Sequence, residues 1–249
     1  MNKQASLELY ASGRSAWNAW AKERSQELLR IVDAGLWQWE ILQGDANFTN
    51  PHAQRWHIDT AADFSYHEFA ESPDFSGFVF PGFVGFIAAN FPLGARFAGA
   101  RAIRGACFNY ARFGALADFT EAELLSEGSF RGTQFMDEAR FERTRFSPAE
   151  FEPQMDGHAD FSDAKFVGLA NFRGAKVAGN AVLADTQFNG PALFDYAVFG
   201  RLVYFNEGTK FSGEVSFHNA MLPSDTDFSS GSFARPPAGL RGDWTRKPQ

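Results

Sequence analysis

Few side chains in this sequence combine type and spacing in a way that suits chemistry. The five histidines, His52, His57, His67, His158 and His218, are scattered along the chain. His158-Ala159-Asp160 has the look of a metal-site fragment, but two such residues at that spacing arise by chance, and polar surface positions are the plainer reading. Glu150 and Glu152 form an equally unspecific carboxylate pair that solvates a surface. The single cysteine, Cys107, has Arg104 and Arg112 near it in sequence, and a thiolate nucleophile needs such a cationic neighbourhood. It directly precedes Phe108, whose side chain is expected to point inward, so Cys107 is expected to point outward as an inert surface thiol. No glycine-rich phosphate loop follows a strand and no nucleophile elbow occurs. No catalytic, cofactor or metal residue is assigned, and the chain reads as a non-enzyme.

The elements that would position any site show themselves in the apolar residues. The 249 residues include 29 Phe against 5 Tyr. Phenylalanine has no polar handle and is normally buried, so this many rings need many equivalent slots. One series runs Phe64, Phe75, Phe86, Phe97, Phe108, Phe119, Phe130 and Phe141, each eleven positions from the last. It continues through Phe151, Phe161, Phe172, Leu183, Phe194, Phe205, Phe217 and Phe228. A second series falls between: Phe69, Phe80, Phe91, Ile103, Phe113, Leu124, Phe135, Phe146, Met155, Phe166, Val177, Phe188, Phe199, Phe211, Leu222 and Phe233. Two residues before most anchors stands a small side chain, such as Ala89, Ala111, Thr133, Thr144, Ala164 or Thr186. Recurrence at every fifth or sixth position suits neither a helix, which repeats at the third and fourth, nor an ordinary strand, which needs a sustained alternation. It suits a short strand, a turn and another short strand, wound into a solenoid.

In these residues the chain resembles the pentapeptide-repeat family, whose repeat has a central Leu or Phe preceded at two residues by Ala or another small side chain. The resemblance implies an all-β solenoid, a right-handed quadrilateral β-helix with four faces per coil. Alternating spacings of five and six make a 22-residue coil where the family usually has 20, giving about eight coils. At a strand spacing of about 4.8 Å the rod is roughly 38 Å long.

Open coils leave unpaired edges that invite aggregation. Residues 5 to 34 supply an N-terminal α-helical cap: Leu7, Tyr10, Trp17, Trp20 or Ala21, Leu28, Ile31 and Val32 recur at helical spacing, and Gly35 ends the helix. Gly13 to Trp20, with Trp17-Asn18 and Trp20, is similar to the leader that precedes the repeats in many family members. Ala46-Asn47-Phe48 carries the repeat signature, which predicts a ragged opening turn through Ala53 and Ile58. At the far end Pro236-Pro237 is expected to stop the coil, because proline cannot donate to a ladder. The expected division is a cap over 1–43, the β-helix over 44–235 and a cationic tail over 236–249. One cysteine excludes an internal disulfide framework, and no signal-peptide pattern opens the chain, so a cytoplasmic location is expected. The charge-free run between Asp74 and Arg96 holds several glycines and prolines, which argues against a transmembrane segment.

Residues 59–235 carry 14 basic and 23 acidic groups, a net charge of −9. Direct nucleic-acid binding is disfavoured, because phosphates demand clustered Lys and Arg. The function class that remains is a non-catalytic protein-binding or scaffold module. The alternative comes from the resemblance: some family members mimic a DNA duplex and modulate DNA gyrase or topoisomerase. Candidate partner surfaces are non-anchor apolar residues expected to face outward, Val79, Phe83 and Ile87 in the charge-free region, and Leu193, Tyr196, Val198, Leu202 and Tyr204 near the C-terminal end. Self-association into a homodimer through one of these patches is the expectation, and a protein partner stays unidentified. On the four-face count Asp74, Arg96, Asp118, Arg140 and Asp160 stack up one face as alternating charges.

Overall fold

From Ala62 onward the chain runs as short strands separated by turns, and each strand pairs in parallel with its counterpart one coil further on. Arg96 pairs with Asp118, Asp118 with Arg140, and Arg112 with Gln134. The computed structural model, which describes residues 1–42, 45–151 and 155–240, is a β-solenoid of about eight coils. Four parallel sheets of seven, seven, six and six strands run along it. In chain order, face I begins at Ala62–Asp63, face II at Asn90–Phe91, face III at Ala95–Arg96 and face IV at Val79–Phe80. Glu68 bridges to Asn90 at the start of face II, and Asp74 to Arg96 at the start of face III.

Each strand has one side chain turned in and one turned out, and the inward rings stack from coil to coil. Phe97, Phe119, Phe141 and Phe172 lie 4.8–4.9 Å apart with planes within 4° of parallel. Phe86, Phe108, Phe130 and Phe161 make a second column at 4.8–5.0 Å. The columns meet edge to face, as in Phe108 against Phe119 at 5.1 Å and 87°, the arrangement that the ring quadrupole favours. The small slot serves the backbone as well. Thr133, Thr144, Thr186 and Thr209 are buried there, and each hydroxyl donates at 2.7 Å to a carbonyl of the preceding coil.

Two corners of most coils are turned by a left-handed residue. Tyr66, Ala88, Tyr110, Gly132, Asp163 and Asp185 turn the chain from face I to face II with φ between 52° and 65°. Gly77, Gly99, Glu121, Arg143, Gly174 and Tyr196 turn it from face III to face IV. Glycine adopts this conformation freely, whereas other L residues pay about 1 kcal/mol for it.

Several anchors differ from the sequence expectation. Gln134 pairs with Lys165, Ala139 with Ala170 and Arg145 with Lys176, each nine positions beyond the regular step. A nine-residue insertion therefore leaves the rod after Ser147, and the chain rejoins at His158. Phe151 and Met155 belong to it and are not anchors; Phe130 stacks directly on Phe161. On face IV the inward slot between Phe80 and Leu124 is filled by Ala102 and not by Ile103. The short side chain leaves an apolar cavity of about 10 Å³ bounded by Phe80, Phe97, Ala100 and Phe119. Pro236-Pro237 does not stop the coil: Pro237 is buried, and Ala238 pairs with Ser216. Ala192 N–H, two coils earlier in this row, donates to the following coil at Glu214. No described coil follows Pro237, so a missing N–H costs nothing there.

The cap is two helices, α1 (Lys3–Ala11) and α2 (Gly13–Asp33), where one was expected. The break falls at Ser12–Gly13, with Gly13 at φ +87°. Tyr10 packs on Phe75 at 4.6 Å, and Trp17 lies 5.3–6.0 Å from Phe64, Phe78 and Phe80. Trp17 Nε1 donates to Val79 O at 2.8 Å, while Asn18 accepts from Val79 N and donates to Gly77 O. The helix thus satisfies backbone groups that the first coil would leave open. Ala46-Asn47-Phe48 lies in an antiparallel hairpin, β1 (Trp39–Leu42) with β2 (Asp45–Phe48), and Ala53 and Ile58 in a helix, α3 (Pro51–Thr60). Leu28, Ile31, Phe48, Ala53 and Trp56 form a second small core beside the rod. No helix among the described residues is long and apolar enough to cross a membrane.

Candidate functional site

The residues that carry unusual electrostatics hold the N-terminal unit to the rod. Arg104, at the corner between faces IV and I, lies 5.0 Å from the Trp37 ring and 5.1 Å from Phe48, within cation–π range of both. Its Nη1 reaches His57 Nδ1 at 2.7 Å. An arginine has only protons to give, so Nδ1 accepts and the imidazole is neutral. Burial, the Arg104 charge and the N-terminal ammonium together push His57 down to about 4. From the other side Phe151 of the insertion meets Trp37 edge-on at 5.7 Å. The insertion that breaks the repeat therefore docks the cap.

Cys107 occupies the outward row of face I but is buried, at 6% exposure, against the expectation of a surface thiol. Burial pushes its thiol up, and Glu127 and Asp160 add to the rise. Arg104 is turned toward His57 and the aromatic rings. Low thiolate content makes Cys107 a poor nucleophile.

Of the two apolar groups expected outside, the N-terminal one is largely covered. Val79, Phe83 and Ile87 are each half-buried, and Val79 is packed under α2. The C-terminal group is more open: Tyr196 is 64% exposed, Tyr204 45% and Leu202 40%, with Leu193 and Val198 half-buried. Met221, 65% exposed, bridges to Val198 in the next coil and extends the group. Its one-coil relation to Val198 was blurred by a one-residue insertion near Asn206, visible as steps of 23 in Gln187 to Lys210 and Ala192 to Val215.

The outward rows set the electrostatics. On face III Asp74, Arg96, Asp118 and Arg140 follow one another in register, as the 22-residue period predicts. Asp160 does not continue them, because the insertion moves it to face I, and Asn171 stands beside Arg140 instead. On face IV Glu123 is clamped between Arg101 at 2.9 Å and Arg145 at 3.0 Å. Face II carries Asn90, Arg112, Gln134, Lys165, Gln187 and Lys210 in one line, a row that comes into view only once the insertion is placed.

One polar cluster has a catalytic look. Ser216 Oγ bonds to Asp195 and lies 2.7 Å from His218 Nδ1, and Arg173 reaches the same carboxylate at 3.3 Å. Burial works to raise Asp195, but the Ser216 hydroxyl, the His218 amide and Arg173 outweigh it and hold the carboxyl below its usual range. The imidazole does not lie between serine and aspartate, so the serine proton is shared with the carboxylate and no base-relay geometry exists. Among the described residues no group of three or more His, Cys, Asp or Glu is arranged to hold a metal ion.

Residues 108–153 and 151–198 match the family described as pentapeptide repeats (9 copies). Over these residues the chain carries Phe-centred pentapeptide repeats, and a helical unit precedes the solenoid. No curated protein matches it.

Proposed function

We propose that this protein is a non-catalytic binding or scaffold module, in which the rigid rod presents a surface to a protein partner. The observation that carries the reading is the set of open apolar side chains along face IV and its flanks, Tyr196, Leu202, Tyr204 and Met221, with half-buried Val198 bridged to Met221. Exposed tyrosines on a preformed surface are efficient contact residues, because they bury much area for little lost rotamer entropy. The cap over the first coils and the insertion that docks it keep the N-terminal end out of this role. The Ser216, His218 and Asp195 arrangement supports a structural use of those polar groups. A cytoplasmic setting agrees with the single, buried cysteine.

The test is capture with the intact chain against a Tyr196→Ser/Tyr204→Ser variant. A partner, or a second copy of this chain in sedimentation, should be retained by the parent and lost by the variant. Equal behaviour of the two proteins overturns the assignment of this surface. A DNA-mimic role calls for a continuous acidic row, whereas none of the four outward rows is continuously acidic, so gyrase supercoiling should be unaffected by the protein.

A further inference from the structure

We propose that face II is the docking surface for an acidic segment of a partner protein held in polyproline II conformation. This rests on the reading of the rod as a protein-binding module and names the chemistry of its partner. The chain carries a formal charge of −7, yet the outward row of face II from Asn90 to Ser232 holds no carboxylate. Its cations, Arg112, Lys165 and Lys210, are exposed and separated by the amides Gln134 and Gln187. Arg112 donates to Gln134 at 2.8 Å; the ammonium groups of Lys165 and Lys210 have no hydrogen-bond or ion-pair partner among the described residues. The carboxylates at the borders are partly engaged: Asp163 pairs with Arg131 at 3.4 Å, Asp185 accepts from Asn206, Glu138 pairs with Arg140 and Glu214 with Arg235, while Asp137 and Glu207 stand at opposite edges. The next outward column, Gly114, Met136, Val167, Asn189 and Ser212, carries no charge that would compete for the cations.

Spacing selects the conformation. The rings beneath the row stack at 4.6–5.2 Å, so cations two coils apart are separated by about 10 Å. A β-strand repeats on one side every ~7 Å and falls out of step. Polyproline II repeats every third residue, at about 9.3 Å, and keeps step from Arg112 to Lys210. It also leaves its backbone groups unpaired, which gives Gln134 and Gln187 something to bind, whereas a helix has none to offer.

A fluorescent Glu-Pro-Pro repeat peptide titrated into the full chain at low salt tests this by anisotropy. Binding should weaken about tenfold or more in Arg112→Gln/Lys165→Gln/Lys210→Gln, and should be unchanged in Tyr196→Ser/Tyr204→Ser. A peptide of equal composition with its glutamates adjacent should bind several-fold more weakly. No binding, equal binding of the rearranged peptide, an unaffected triple variant, or preference for a single-stranded oligonucleotide each overturns the proposal. Partner capture through Tyr196 and Tyr204 would survive any of these results, so the two readings fail separately.

Discussion

Acidification should release the N-terminal unit from the rod before the rod itself yields, and His57 is the reason. In the fold its Nδ1 accepts from Arg104 at 2.7 Å, so protonation would place a donor and a positive charge against a guanidinium. Its folded value of about 4 lies below the unfolded value of 6.5. The unfolded state therefore binds more protons between these values. The contribution is fully present above pH 6.5 and is lost as pH falls toward about 4. A shift of this size corresponds to a ceiling of about 3 kcal/mol, which solvent screening at a half-buried ring reduces to about 1–2 kcal/mol. The assay separates the parts of the molecule. Trp17, Trp20, Trp37, Trp39 and Trp56, five of the six tryptophans, precede the first coil, so their fluorescence reports the N-terminal unit while far-UV circular dichroism reports the coils. Between pH 7 and 4.5 the fluorescence transition of the parent should move to lower denaturant by more than that of His57→Gln, which cannot take up the proton. Carboxylates titrating in the same window act on both proteins and cancel in the difference. Identical pH dependence in the two would refute the reasoning.

Phe119, fully buried between Phe97 and Phe141, should lose about 3–5 kcal/mol on replacement by alanine, against clearly less for the half-buried Phe233 at the rod's end, measured by equilibrium denaturation. Gly99→Ala meets open space and should cost only the left-handed backbone penalty of about 1 kcal/mol. Gly114→Ala would set its Cβ 2.3 Å from Pro92 O and should cost more, although its φ is not left-handed. Thr144→Val keeps the volume but removes the hydroxyl bond to Phe119 O, and should lower stability by about 1 kcal/mol in the same assay.

The architecture was legible in the sequence because burial in a solenoid is periodic. A ring at every fifth or sixth position, with a small side chain two before it, admits one winding, and the resulting coil length correctly brought Asp74, Arg96, Asp118 and Arg140 together. Amphipathic spacing likewise marked Trp17, Leu28 and Ile31 as the buried side of the cap and left Trp20 or Ala21 open, of which the fold buries Ala21. Periodicity is blind where a residue of the right type stands in nearly the right place. Phe151 fits the repeat to within one residue, and only the pairing of Gln134 with Lys165 shows that it leaves the rod to meet Trp37. Ile103 outranks Ala102 in apolarity, yet the ladder through Phe80 and Leu124 turns Ala102 inward. From that insertion follow the displacement of Asp160 and the alignment of Arg112 with Lys165, and the one-residue insertion near Asn206 brings Lys210 into the same row. Exposure was equally beyond the sequence. Val79 and Tyr204 occupy equivalent outward slots, and Val79 is covered because α2 folds back onto the first coil, a contact between parts of the chain far apart in sequence that no local pattern encodes.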